Sequence, residues 1–261
     1  SNLTNYEFPQ KYDSHVAMVV TLPAAKQKQF GQVLKIHWRD KWNELSLESR
    51  DIAAIITALV HAPGLGNKER SPLSEVRGKI GYVSAEYQNN YDRPALGWEV
   101  VASGHFSSIG LHEEVTPKQK EAALDSMRYL GIENLSKTPY RQMSYGEARR
   151  ILLARAMVRR TRLMILDEPC TGLDIPTREI FLETIEKMSR KRTQMIYVTH
   201  RIEEIMPCIS HVLYLKNGKI FKQGKKEAMM NSKTLSSALG CSLTIQENSK
   251  RYWLAGKGTK R

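Results

Sequence analysis

Four consecutive apolar residues, Leu163, Met164, Ile165 and Leu166, run directly into Asp167, Glu168 and Pro169. No other stretch restricts the chain as much. So short an apolar run reads as a buried strand, and residues 195–198 repeat it after a segment long enough for a helix. Continuous apolar strands separated by helices predict an α/β fold, a mostly parallel sheet covered by helices on both faces. Two carboxylates then emerge together at the carboxyl end of a strand, the edge where open α/β sheets hold ligands. Asp167 suits a magnesium ion, directly or through water, since that ion prefers oxygen ligands and keeps several waters. Glu168 suits orienting the water that attacks a γ-phosphate. Acidic residues at a strand end also cap following helices, so the roles rest on the neighbouring motifs.

Those neighbours lie on either side. Upstream, Met143-Ser144-Tyr145-Gly146-Glu147 precedes a helix expected over residues 146–160. Ser144 is placed to cap it, Gly146 allows close approach, and the exposed amides of a helix start form an anion site. Downstream comes Thr171-Gly172-Leu173-Asp174, and then Tyr197-Val198-Thr199-His200, which ends the next strand with an imidazole.

In this order the motifs resemble the signature, Walker B pair, D-loop and switch histidine of ABC-type ATPases, over about residues 79–224. The resemblance implies a P-loop NTPase-like fold of ABC type, with ATP and Mg2+ as cofactors. It implies Glu168 and His200 as catalytic residues and Asp167 as a metal ligand. Ser144, Tyr145, Gly146, Glu147 and Asp174 would then contact nucleotide. The family's usual Leu-Ser-Gly-Gly-Gln is replaced at three of five positions, while Ser144 and Gly146 remain. This variant, with the run Gly81-Tyr82-Val83-Ser84, looks most like the soluble photorepair and molybdenum-transport type. Ala85 occupies the usual Q-loop glutamine position, leaving Glu86 or Gln88 as the metal or water contact.

One family element is not recognisable. The phosphate-binding loop ends Gly-Lys-Ser or Gly-Lys-Thr, so that backbone amides surround phosphate and the Lys neutralises it. Between an expected strand at residues 32–38 and an expected helix at 52–60, the chain offers residues 39–51. That stretch has no Gly and carries Asp40, Glu44, Glu48 and Asp51. Gly64-Leu65-Gly66-Asn67-Lys68 lacks the adjoining hydroxyl, and Gly256-Lys257-Gly258-Thr259 lies in the tail. The expected function is an ABC-type ATP-binding and ATP-hydrolysing subunit acting through dimerisation, poorly active alone. The alternative is an inactive ABC-like module for assembly, regulation or nucleic-acid association.

The organisation expected is an amino-terminal β-rich part at 1–66, beginning with a strand at residues 15–22. An ATPase core at 67–230 follows, with a helical subdomain at about 90–145, and a basic extension at 231–261. Within the core, Pro117 starts a helix that Gly131 ends. Residues 211–215 and 219–221 flank Asn217-Gly218 as a terminal hairpin, and a partly mobile tail runs from Asn248. A formal charge of +13 attracts polyanions, among them nucleotides, nucleic acid and anionic lipid. Three scattered cysteines fit a reducing cytoplasm. No targeting segment is visible, and the best apolar run, residues 52–60, falls far short of the roughly 20 residues that span a bilayer. The partners implied are a second ABC ATPase subunit or a second copy of this chain, and a separate membrane subunit. The place expected is the cytoplasm, at the membrane periphery when such a subunit is bound.

Overall fold

The computed structural model describes residues 16–21, 80–84, 88, 94–106, 110–159, 161, 163–189, 194–216, 219–249 and 251–255. The expected strand at 32–38, the loop at 39–51 and the helix at 52–60 lie outside them. The chain divides into two units, a split one (Ser1–Ser71 with Val198–Arg261) and one inserted within it (Pro72–Tyr197). The split unit opens with β1 (Val16–Thr21), within the strand expected at 15–22.

In the inserted unit, β2 (Ile80–Ser84) feeds α1 (Gly97–Ala102), α2 (Pro117–Tyr129) and α3 (Tyr145–Met157). Strand β3 (Leu163–Asp167), α4 (Ile175–Ser189) and β4 (Gln194–Thr199) follow, the last two residues of β4 falling in the split unit. Strands β2 and β3 pair in parallel, from Ile80 opposite Leu163 to Ser84 opposite Asp167, and β4 lies beside β3. Among the described residues, the stretch 90–145 carries α1, α2 and three short 3₁₀ turns.

Local chemistry explains these boundaries. Thr116 accepts from the Gln119 amide and Gln119 answers with its own carbonyl oxygen at 2.9 Å, while Pro117 fits the first helical position. Gly131, at φ +66, ends the helix in the left-handed conformation. Helix α3 begins one residue earlier than expected, because the Ser144 cap makes Tyr145 its first residue, and it stops at Met157 rather than near 160. It is buried nearly all round, from Gly146 through Ile151, Leu153 and Ala156, as a helix inside a domain must be. A Cβ at Gly81 would stand 2.6 Å from the Ala156 carbonyl oxygen, so β2 lies directly on this helix. On α4, Phe181, Leu182, Ile185 and Met188 form the buried face. Each contributes at most about 1.5–3 kcal/mol relative to exposure.

The rest of the split unit differs from expectation at its end. Strand β5 (His211–Lys216) pairs antiparallel with β1 and with β6 (Lys219–Lys225), so the expected hairpin forms with a longer second arm. It is not terminal. Helices α5 (Lys226–Met229) and α6 (Ser232–Leu239) follow, then a second hairpin, β7 (Thr244–Asn248) with β8 (Arg251–Ala255). Within the tail expected to be partly mobile from Asn248, residues Arg251–Ala255 thus form a strand. Asn231 caps α6, Gly240 at φ +70 ends it, and serine hydroxyls on α6 then hold the hairpin. No helix among the described residues is long and apolar enough to cross a membrane.

Candidate active site

Asp167 ends β3 directly opposite Ser84. Side chains alternate across a strand, so residues 82 and 84 share a face with 165 and 167. The Tyr82 hydroxyl accordingly reaches along that face and donates to Asp167 Oδ2 at 3.2 Å. Glu168 follows with a φ of +42. A non-glycine residue there costs about 1–3 kcal/mol, an outlay found where the surroundings fix a functional side chain. Thr171 supplies the restraint. Its amide donates to the Glu168 carbonyl oxygen at 3.1 Å and its hydroxyl to Glu168 Oε2 at 3.2 Å.

The signature segment lies in the same unit. Ser144 Oγ accepts from the Glu147 amide at 3.3 Å, and Glu147 Oε2 accepts from the Ser144 amide at 2.8 Å. This reciprocal cap satisfies two of the helix's orphan donors. The Glu147 carboxylate takes the Ser144 amide, which precedes the helix, while the Glu147 amide is taken by the Ser144 hydroxyl. Those bonds, backbone first, hold the Glu147 carboxyl below its ordinary value of 4.5. Asp174 behaves in parallel. Its Oδ1 accepts from the Thr177 amide at 2.8 Å, capping α4, and the Thr177 hydroxyl and amide hold its carboxyl low.

Two close approaches join these helix starts. A Cβ at Gly146 would fall 2.4 Å from Thr177 Cγ2, and one at Gly172 would fall 2.8 Å from the Tyr145 ring. Gly172 also stands at φ +81, so glycine is required there twice over. Gln88, 8% exposed, donates through Nε2 to the Tyr145 carbonyl oxygen at 3.2 Å, while its Oε1 is buried with no hydrogen-bond partner. Gln88, Tyr145, Gly146 and the turn from Gly172 to Asp174 are therefore brought together.

His200 belongs to the split unit. It is exposed, between Thr199 and Arg201. Thr199 is 1% exposed, donates to Glu204 Oε2 at 2.7 Å and accepts from the Arg201 amide at 3.0 Å, which fixes the turn that carries the imidazole.

Magnesium can be weighed against the donors present. Among the described residues no group of three or more His, Cys, Asp or Glu converges on a metal. The Asp167 carboxylate and the orphaned Gln88 carbonyl are hard oxygen donors, and few protein ligands suffice for an ion that keeps its waters. The donor chemistry of each residue suits the ion, with Asp167 placed at the end of β3 and Gln88 held at the Tyr145 carbonyl oxygen.

Sequence reasoning missed Arg149. It is wholly buried, with Nη2 3.0 Å from the Tyr145 hydroxyl and 3.5 Å from the Thr171 carbonyl oxygen. Burial pushes its guanidinium below the ordinary arginine value. Tyr82 and Thr177 were missed as well. Strand alternation could have offered Tyr82 once the β2–β3 register was known, whereas no sequence signal marks the others.

Comparison with known proteins bears on this arrangement. A family model described as ABC transporter matches residues 52–171. An uncharacterized ABC transporter ATP-binding protein, YlmA of Bacillus subtilis, is 32% identical over 255 residues, covering 91% of this chain and 97% of YlmA. The ABC transporter ATP-binding protein ModF of Escherichia coli is 31% identical over 151 residues, covering 57% of this chain but 31% of ModF. Among solved structures, cbiO1 of Clostridium perfringens, part of the ABC transporter complex cbiONQ, matches with a TM-score of 0.55 at 22% identity. That match covers 67% of this chain and 68% of cbiO1. The ADP conformation of MJ1267, an ATP-binding cassette of an ABC transporter, matches with a TM-score of 0.53 at 16% identity, over 67% of this chain and 71% of that one. At such identities the structural matches establish the fold.

Proposed function

Since this chain belongs to the ABC transporter ATP-binding family, we propose that it is an ATP-binding and ATP-hydrolysing subunit that works through pairing, with its own phosphate-binding loop degenerate. The observation that carries this reading is the packing of the Ser144–Glu147 helix start against the turn that follows Asp167 and Glu168. A nucleotide held against the first would be coupled to the second.

In this proposal Asp167 and the Gln88 carbonyl hold magnesium together with water. When bound, the ion neutralises charge on the terminal phosphates. Glu168, fixed by Thr171, accepts a proton from the attacking water or orients it. His200 contacts the γ-phosphate. Ser144, Tyr145, Gly146, Glu147 and Asp174 lie against a nucleotide whose phosphates are held by the partner's loop. The partner is a second copy or another ABC subunit, and a membrane subunit completes a transporter. The signature variant and the run 81–84 favour the photorepair and molybdenum-transport type.

Turnover of this chain assembled with an ABC subunit bearing an intact loop tests the reading. Glu168→Gln should cut turnover about tenfold to a hundredfold while nucleotide binding stays largely intact. Unchanged turnover would remove Glu168 from the chemistry.

A further inference from the structure

We propose that the carboxy-terminal hairpin positions His200, with Arg251 as the positioning residue; this rests on the phosphate-contacting role proposed for His200.

The turn that bears His200 is braced from within. Thr199 is tied to Glu204, a carboxylate only 2% exposed, and Arg201 Nε lies 3.9 Å from that same carboxylate. Residues Ile202–Glu204 make a single 3₁₀ turn. So short a helix has few bonds of its own and is held mainly by what packs on it.

The second hairpin supplies that packing. Strand β8 lies against the 3₁₀ turn, and Arg251 Nη2 donates to the Glu203 carbonyl oxygen at 2.5 Å. The guanidinium also stands 5.4 Å from the centroid of the Trp253 ring, which limits the rotamers it can adopt. A bond from a cationic donor to a backbone carbonyl is stronger than a neutral one, and it falls three residues after His200.

The hairpin is in turn anchored at its other strand. The Ile245 amide donates to Ser232 Oγ at 3.1 Å, and Leu243 exchanges hydrogen bonds with Ser236 Oγ at 2.9 Å and 3.2 Å. Tyr252 is buried at 4% exposure. A two-stranded hairpin is marginal alone, so the hairpin and the His200 turn stabilise each other. A route of bonded groups thus runs from α6 through β7 and β8 to the turn that carries the imidazole.

The full chain tests this with two readouts. In the first, hydrogen exchange of the amides at residues 201–205 is compared between wild type and Arg251→Ala, with no activity required. In the second, turnover is measured with Mg-ATP after assembly with a loop-bearing ABC subunit, for wild type, Arg251→Ala, Arg251→Lys and His200→Ala. Arg251→Ala should speed exchange at 201–205 while leaving α3 unchanged. It should lower kcat about tenfold, in keeping with the cost of a small misplacement, with KM held within about twofold of wild type. Arg251→Lys, which keeps a cationic donor, should recover most of both effects.

Faster exchange with unchanged kcat would make the hairpin a structural clasp and overturn the proposal. Unchanged exchange would overturn it too. If His200→Ala kept full turnover, the role given to His200 would fail instead, and the exchange data would still show whether the hairpin holds the turn.

Discussion

Glu147 stands at the position where the family's usual signature has a neutral glutamine. Its carboxylate completes the cap with Ser144 and places a negative charge at the first turn of the helix, where the helix dipole favours it. The cap bonds favour the charged form, so the folded carboxyl titrates below 4.5. A depressed carboxyl contributes stability that is fully present above the unfolded value and is lost as pH falls through the folded one. Glu147→Gln keeps an acceptor for the Ser144 amide but has nothing to titrate. Its melting temperature should therefore decline less than that of wild type as pH is lowered from about 5 toward 3. Parallel thermal melts across that range are the measurement, and superimposable pH profiles would contradict the assignment.

At the scale of elements, the starts of α3 and α4 behave as one assembly. Gly146→Ala would drive a methyl into Thr177 Cγ2, which the ideal geometry places 2.4 Å away. Overpacking of this kind costs about 1–3 kcal/mol. Thr177→Ser removes that Cγ2, so the double variant should recover much of the loss. A double-mutant cycle from chemical denaturation would read the coupling, and strict additivity would deny the contact. The elements themselves were legible in sequence where the signal is local. Thr116-Pro117, Gly131, Ser144 and the apolar run into Asp167 each announce a boundary through neighbours a few residues away. The contacts of the candidate site were legible only in part. Tyr82 with Asp167, Gly146 with Thr177 and Arg251 with Glu203 join positions that meet only through tertiary register. The basic composition of residues 248–261 predicts a partly mobile tail, whereas a strand as short as β8 gains its stability from what it packs on.

For the molecule as a whole, the amide cradle for phosphate is the decisive quantity. Residues 39–51 contain no Gly and four acidic side chains, which Arg39, Lys41 and Arg50 offset only as point charges. On the proposal that this stretch stands in place of the phosphate-binding loop, the loss of three charge-assisted hydrogen bonds, at about 1.5–3 kcal/mol each, would weaken binding by three decades or more. The isolated chain should therefore bind Mg-ATP with an affinity nearer millimolar than micromolar, and hydrolyse it negligibly. Calorimetry on the purified chain decides this, because micromolar binding would place the phosphate site elsewhere.

The pairing of β1 with β5 has a consequence for synthesis on the ribosome. Val20 lies opposite His211, so β1 emerges about 190 residues before this partner strand exists. At about 5–20 residues per second, the nascent strand waits on the order of 10–40 s for that pairing. Residues Pro72–Tyr197 form a continuous piece completed within that interval. The inserted unit can thus collapse first, while Val16–Thr21 still lacks its β5 pairing and offers that edge to other strands and to chaperones. A pause in translation before residue 211 would lengthen that exposure, so yield in the cell should depend on codon usage near β5 more than on the stability of the finished protein.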